Sequence, residues 1–252
     1  MNRKKFGIIL AGGAGTRLSP LTSVCSKQLL PIYDKPVISY PARTLYDMGV
    51  RDVLVINADK NQQQLTMNYL GDGSKFDMNF SYAIQDHPNG LAEAFIIADR
   101  EKFICDEDEV VLILGDNILI NQNDIPLSSN TIFTYEVKNP SAYGVVTTND
   151  DGTIDQLIEK PKEHLSNDAV IGLYQFGKGV AELAKQLIPS PRGELEIVDL
   201  IKLMNDKNPI TVKKLDGFWF DVGTFDDLLD CANLVRTITH RSNKELGLLR
   251  LI

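Results

Sequence analysis

Phe6-Gly7-Ile8-Ile9-Leu10-Ala11-Gly12-Gly13-Ala14-Gly15-Thr16-Arg17-Leu18 decides the reading of this chain. An apolar run reads as a buried strand, and it ends in a glycine-rich turn with an arginine just past it. Ser26-Lys27-Gln28-Leu29-Leu30-Pro31 follows, setting Lys27 ten residues beyond Arg17. Glycines let backbone N–H groups approach a phosphate with no side chain in the way. Arg17 and Lys27 bring the positive charge that a polyphosphate needs. The combination points to an enzyme that handles nucleotides, set against a plain strand-to-helix turn with a surface arginine.

Two commoner glycine loops are excluded. Gly7 and Gly12 have the spacing of a P-loop, but Gly13-Ala14 stands where Lys-Ser/Thr is required. Counted from Gly13 and Gly15, the third glycine of a dinucleotide fingerprint falls on Leu18.

The 252 residues suffice for a large core, as one big domain or two small ones. A net charge of −8 argues against general nucleic-acid binding, so cations for a nucleotide must be placed locally. Cys25, Cys105 and Cys231 are far apart and odd in number. They form neither a disulfide framework nor a Cys-x-x-Cys metal site, and a reducing, cytoplasmic setting is expected. Met1-Asn2-Arg3-Lys4-Lys5 precedes an apolar stretch too short for a signal peptide, and no run approaches membrane-spanning length.

Working outward from the first strand, apolar β-rich runs recur at Phe6–Leu10, Val53–Asn57, Phe80–Ala83, Val110–Leu114, Ile132–Val137, Ala169–Phe176 and Ile210–Lys214. Helical patterns lie between the early ones, near Ser39–Met48, Gln62–Tyr69 and Ala92–Phe103. This alternation predicts an α/β fold with a mainly parallel sheet covered on both faces. From about residue 132 the pattern turns to strand and loop, which suggests an inserted antiparallel lobe. One domain over 1–252 is expected, with a nucleotide half to about 130, a second half to about 230, then a short helix and tail.

Ligands of such sheets sit beyond the carboxyl ends of the strands, where Gly12–Gly15, Gln85 and Asp116 would converge. Val110-Val111-Leu112-Ile113-Leu114-Gly115-Asp116-Asn117 places a carboxylate directly after an apolar strand. Hard oxygen ligands suit Mg²⁺, which takes one or two carboxylates and completes its shell with water and substrate phosphates. Asp221, in Gly217-Phe218-Trp219-Phe220-Asp221-Val222-Gly223-Thr224, is an acid among aromatics, where an unpaired charge is costly. Two such acids on separate strand ends can share one metal; each also reads as a turn cap. Asp226 and Asp227 look like helix N-terminal charges. Glu159-Lys160-Pro161 offers a carboxylate for sugar hydroxyls and an amine for a phosphate, or else a solvated turn. Gln85 and the following Asp86-His87-Pro88-Asn89-Gly90-Leu91-Ala92 form a loop whose amide matches a pyrimidine edge. His87, His164 and His240 have no metal or catalytic spacing.

The order of these pieces along residues 5–235 resembles the sugar-1-phosphate nucleotidylyltransferases. Lys27-Gln28, Pro31-Ile32-Tyr33-Asp34-Lys35-Pro36 and Pro191-Arg192-Gly193-Glu194-Leu195-Glu196 are similar to the thymidylyl branch. The resemblance implies a Rossmann-like nucleotide-binding sheet with a sugar-binding lobe. It implies transfer of dTMP from dTTP to glucose 1-phosphate, with Mg²⁺ on Asp116 and Asp221. Use of UTP or another sugar phosphate, and a non-catalytic sugar-nucleotide sensor, are the alternatives. By the same resemblance, Arg17 and Lys27 hold the triphosphate and Lys160 the sugar phosphate. Glu159 and the Gly144 backbone hold the sugar, Gln85 and Gly90 read the base, and Leu10, Ala11, Gly12 and Gly13 line the nucleoside. Gly15, Thr16, Gln28, Leu91, Gly115, Val170, Arg192 and Trp219 complete the substrate-binding set.

Relatives of this branch continue into further C-terminal helices carrying a second nucleotide site, whereas this sequence ends at Leu251-Ile252. The last eight residues, from Glu245, include five apolar ones. They are expected to dock on the parent domain or on a second subunit, a homodimer being preferred.

Overall fold

A computed structural model describes residues 5–13, 15–122, 125, 127, 128 and 130–245, with side chains to residue 240. The apolar tail from 246 onward lies outside the described residues. In chain order the strands are β1 (Lys5–Ala11), β2 (Pro31–Ile32), β3 (Lys35–Pro36), β4 (Asp52–Asn57), β5 (Asn79–Ile84), β6 (Glu109–Leu114) and β7 (Asn117–Ile120). Then come β8 (Thr131–Glu136), β9 (Gly144–Thr148), β10 (Ile154–Glu159), β11 (Asp168–Phe176), β12 (Thr211–Lys214) and β13 (Phe218–Asp221). The helices are α1 (Ser39–Asp47), α2 (Lys60–Leu70), α3 (Glu93–Arg100), α4 (Val180–Ala184), α5 (Ile197–Lys207) and α6 (Phe225–Glu245).

One sheet organises the molecule, in the order β10-β9-β11-β6-β1-β4-β5, with β8 beside β11 and β12 beside β8. The pairs β6-β1, β1-β4 and β4-β5 are parallel, while β11 joins β6, β8 and β9 antiparallel. A parallel strand buried on both faces needs apolar residues along its buried length, which is why Phe6–Ala11 of β1, Val53–Ile56 of β4 and Val110–Leu114 of β6 are continuous apolar runs. Side chains alternate between faces. Ile8 and Leu10 therefore join a core with Phe95, Ala98 and Ile201 from α3 and α5. Ile9 and Ala11 join another with Ile38, Ala42 and Leu45 around α1.

A third apolar cluster supports the glycine loop itself. Leu18, Leu30, Ile32 and Val37 pack with Ile118 of β7, Val222, and Cys231 and Val235 of α6. The three thiols are free, and Cys231 is fully buried here. No described helix is long and apolar enough to cross a membrane.

Two expectations need correction. The stretch after residue 132 is not only strand and loop, since α4 and α5 pack on the sheet from within it. The helix expected near Cys231–His240 begins earlier, at Phe225. Thr224 and Asp227 explain that start. Thr224 N–H donates to Asp227 Oδ2 at 2.9 Å, and Asp227 N–H donates to Thr224 Oγ1 at 3.2 Å. This reciprocal pair satisfies two otherwise orphaned N–H groups.

Candidate active site

The carboxyl ends of β1 and β6 lie side by side, and Gly115 continues the pairing by donating its N–H to Leu10 O at 2.9 Å. A side chain at Gly115 would meet the Ala11 Cα at 3.1 Å, so the backbones pass close together there. Asp116 follows at once. Its neighbour Asn117 opens β7, which pairs antiparallel with β13 so that Asp221 stands opposite Asn117. Val222 N–H donates to Asp116 O at 3.0 Å. The two acids, 105 positions apart in sequence (116 to 221), are thereby fixed as neighbours.

Their electrostatics follow from that placement. Burial, and then the negative charge of Asp116, pushes the Asp221 carboxyl up to about 6, against the opposing pull of Lys27 and Arg17. Lys27 Nζ forms an ion pair with Asp116 Oδ2, both side chains being mostly buried. The Arg17 guanidinium lies over Gly223, where a Cβ would meet its Nη2 at 3.0 Å. Tyr143 lies near Asp221, its phenol pushed up by burial and then by Asp221 and Asp227. A buried carboxylate beside a second one is stabilised by a divalent cation, so this pair fits a metal. Among the described residues no group of three or more His, Cys, Asp and Glu forms a metal cluster. A cation here would take two carboxylates and complete its shell with water and phosphate oxygens, the habit of Mg²⁺.

The glycine turn is placed as its sequence suggests. Gly13 and Gly15 adopt positive φ, and Thr16–Leu18 form a short 3₁₀ turn with Thr16 and Arg17 exposed. Lys27 and Gln28 share a second 3₁₀ turn. Gln28 is 1% exposed, its Nε2 donates to Gly12 O at 3.4 Å, and its Oε1 has no partner.

Gln85 differs in one respect from the expectation. Its Nε2 donates to Gly90 O at 3.0 Å and to Glu93 Oε2 at 2.7 Å, so both amide hydrogens are committed. Only the acceptor Oε1 remains, and it lies toward Gly12. Glu93 also accepts from Asn89 Nδ2 at 2.9 Å, which makes it the anchor of the loop. Sequence reading missed this role, because Glu93 looks like an ordinary acid in a helix's first turn.

That loop is joined to a second one. Leu195 N–H donates to Asn89 O at 2.6 Å, and Ala92 N–H donates to Leu195 O at 3.3 Å. Gly90 has φ +103°, and any Cβ there would strike the Leu195 backbone, so only glycine fits. Leu91 is half-buried beside this joint.

The remaining residues form one wall. Gly144, Glu159 and Val170 are neighbours: a Cβ on Gly144 would lie 3.2 Å from Glu159 Oε2 and 4.0 Å from Val170 Cβ. Lys160 takes φ +45°, donates its N–H to Tyr143 O at 2.9 Å, and sets Nζ 3.4 Å from Glu159 Oε1. Arg192 pairs with Glu196 at 2.9 Å, Glu194 at 3.5 Å and Glu159 at 3.8 Å. Trp219 packs its ring on Tyr135 and Tyr143, and its indole N–H donates to Asn117 Oδ1 at 2.8 Å. That N–H is therefore committed within the protein. Cavities of about 220 and 440 Å³ lie beside α1, lined by Tyr40 and Val235 in one and by Asp47 and Leu119 in the other. None of the site residues above lines either cavity.

The nucleotidyl transferase family matches residues 6–237. A glucose-1-phosphate thymidylyltransferase of Neisseria meningitidis serogroup A is 45% identical over 253 residues, covering 96% of this chain and 86% of that protein. The Mycolicibacterium smegmatis protein of the same name is 45% identical over 96% of this chain and 85% of its own. Among solved structures, a Bacillus anthracis protein provisionally named as a glucose-1-phosphate thymidylyltransferase, in complex with a sucrose, superposes with a TM-score of 0.83. It is 34% identical, over 92% of this chain and 95% of that one. A UDP-glucose pyrophosphorylase complexed with UDP-glucose gives a TM-score of 0.79 at 25% identity, over 93% of this chain and 99% of that one. With residues 6–237 matched and relatives this similar along nearly its whole length, the chain belongs to the nucleotidyl transferase family.

Proposed function

We propose that this chain is a Mg²⁺-dependent glucose-1-phosphate thymidylyltransferase that joins dTTP to glucose 1-phosphate and releases pyrophosphate. The observation that carries the proposal is the β7-β13 pairing, which sets Asp116 and Asp221 together beside Lys27 and Arg17 at the strand ends. The names of the relatives at 45% identity support the choice of nucleotide and sugar.

In this reaction an oxygen of the sugar phosphate attacks the α-phosphorus. A new P–O bond forms, and the bond to the β-phosphate oxygen breaks with its electron pair leaving on pyrophosphate. Two anions must meet, and their repulsion is the main obstacle. No covalent intermediate with the protein is needed, so alignment and charge neutralisation supply the catalysis. Mg²⁺ held by Asp116 and Asp221 would neutralise phosphate oxygens and fix their orientation. Lys27 holds triphosphate oxygens once released from Asp116, and Arg17 stabilises the departing pyrophosphate. Lys160 and Arg192 take the sugar phosphate, while Glu159 and the Gly144 backbone take the sugar hydroxyls. Leu10 to Gly13 line the nucleoside. Gln85 Oε1 accepts the imide N–H of the pyrimidine, the one base contact its committed amide leaves open. We place the sugar-handling half at about residues 131–230, and the reaction in the cytoplasm, where nucleoside triphosphate and free thiols coexist.

A panel of nucleoside triphosphates crossed with sugar phosphates, read by pyrophosphate release, tests the proposal. Turnover of dTTP with glucose 1-phosphate is expected. UTP should also be used, because Gln85 cannot see the thymine methyl, worth about 1–3 kcal/mol in an apolar pocket. The likeness to a UDP-glucose pyrophosphorylase favours the same outcome. Purine triphosphates should be poor. Preference for ATP or GTP refutes the pyrimidine reading, and binding without pyrophosphate release identifies a sensor.

A further inference from the structure

Asn117 is 2% exposed, and three of the four hydrogen-bonding positions of its amide are filled by protein groups. Oδ1 accepts from Gly172 N–H at 3.0 Å and from Trp219 Nε1–H at 2.8 Å. Nδ2 donates to Asp116 Oδ1 at 3.1 Å. We propose that Asn117 is a positioning residue that fixes the Asp116 carboxylate and ties it to the wall formed by β11 and β13. The proposal rests on the reading of Asp116 as a metal-holding carboxylate.

Two donors on Oδ1 occupy both of its lone pairs, so the amide cannot turn over without facing N–H against N–H. Its NH₂ is thereby aimed at Asp116 Oδ1, and the other oxygen of that carboxylate is left to Lys27. A neutral donor suits this task. It orients one oxygen of the carboxylate without setting a second fixed cation beside Lys27. The two donors to Oδ1 are themselves fixed. Gly172 sits at the register shift of β11, where a Cβ would come within 2.6 Å of Leu114 and 2.8 Å of Asn117 Oδ1. Trp219 is held between the Tyr135 and Tyr143 rings. Asn117 therefore links the long sheet, the two-stranded sheet and the acid at their junction. A group that orients a ligating carboxylate contributes about 10–100-fold in metal affinity or activity.

Mn²⁺ titration of the protein–dTTP complex without sugar phosphate, with free Mn²⁺ followed by electron paramagnetic resonance, tests this without turnover. Asn117→Ser is expected to bind Mn²⁺ about tenfold more weakly. Trp219→Phe, which removes one hydrogen bond and keeps an aromatic ring, should shift the affinity less and in the same direction. Calorimetric affinity for dTTP without metal should stay unchanged in Asn117→Ser. Asp116→Asn serves as the reference and should lose the Mn²⁺ site. Parent-like Mn²⁺ affinity in both Asn117→Ser and Trp219→Phe, with loss in Asp116→Asn, makes Asn117 merely structural and overturns the proposal. Should Asn117→Ser fail to fold, Trp219→Phe decides alone. Parent-like Mn²⁺ binding by Asp116→Asn instead overturns the metal reading of Asp116, a separate result.

Discussion

Asp221→Asn is expected to melt at a higher temperature than the parent in metal-free solution at neutral pH, while kcat falls at least about a hundredfold. That rate loss is roughly 3 kcal/mol of transition-state stabilisation, the scale expected when a metal-holding charge is removed. The stability gain has the opposite sign for a definite reason. The folded carboxyl of Asp221 is raised to about 6, above its ordinary value of 3.8, by burial and by Asp116. Between those two pH values the folded state binds a proton that the unfolded state has released, so stability falls as pH rises across the window. Above about 6 the full cost applies, on the order of 2–3 kcal/mol. The melting difference between Asp221→Asn and the parent should therefore close as pH drops from 6 toward 4. A constant difference across that window, or near-normal turnover with Mg²⁺ supplied, would contradict the assignment. Asp116→Asn should lose activity to a similar degree without the stability gain, because it strips Lys27 of its buried partner.

Arg17→Ala and Lys160→Ala should fail in different steady-state parameters. Arg17 stands over Gly223 next to the acids, so its charge matters most as pyrophosphate departs. Its removal should lower kcat by about a hundredfold, comparable to losing one oxyanion-stabilising group. Lys160 lies against Glu159, and its loss should raise KM for the sugar phosphate more than for the triphosphate. Both constants come from initial rates of pyrophosphate release with one substrate saturating. Equal effects of the two substitutions, confined to nucleotide affinity, would remove the distinction.

Much of this architecture is legible in the sequence because burial on two faces leaves an unmistakable record. Val53–Ile56 and Val110–Leu114 are apolar throughout, and the runs Val53–Asn57 and Val110–Leu114 match β4 and β6 to within a residue. β7 and β13 left a weaker trace. They are four residues each, half-buried in part, and pair only with one another, so each shows an apolar run of just three residues, too short to mark a strand. The capping box at Thr224 and Asp227 is local enough to be read from the sequence, whereas the role of Asn117 is not. Its partners Gly172 and Trp219 lie 55 and 102 residues away, and no local spacing can announce an amide that works across such separations. Glu93 hides for the opposite reason: acids in first helical turns are common on electrostatic grounds alone.

The backbone joint between Gly90 and Leu195 bears on any attempt to redesign nucleotide choice. Asn89, Gly90 and Ala92 from one segment interlock with Leu195, three residues from Arg192. Shape at residues 85–92 is thus partly dictated by residues 190–196, which sit about a hundred positions later in the chain. Transplanting the first segment from a relative with another base preference imports half of a mould. The donor's matching counterpart has to travel with it. On the proposed roles of Gln85 and Arg192, exchange of either segment alone should disturb base and sugar selectivity together.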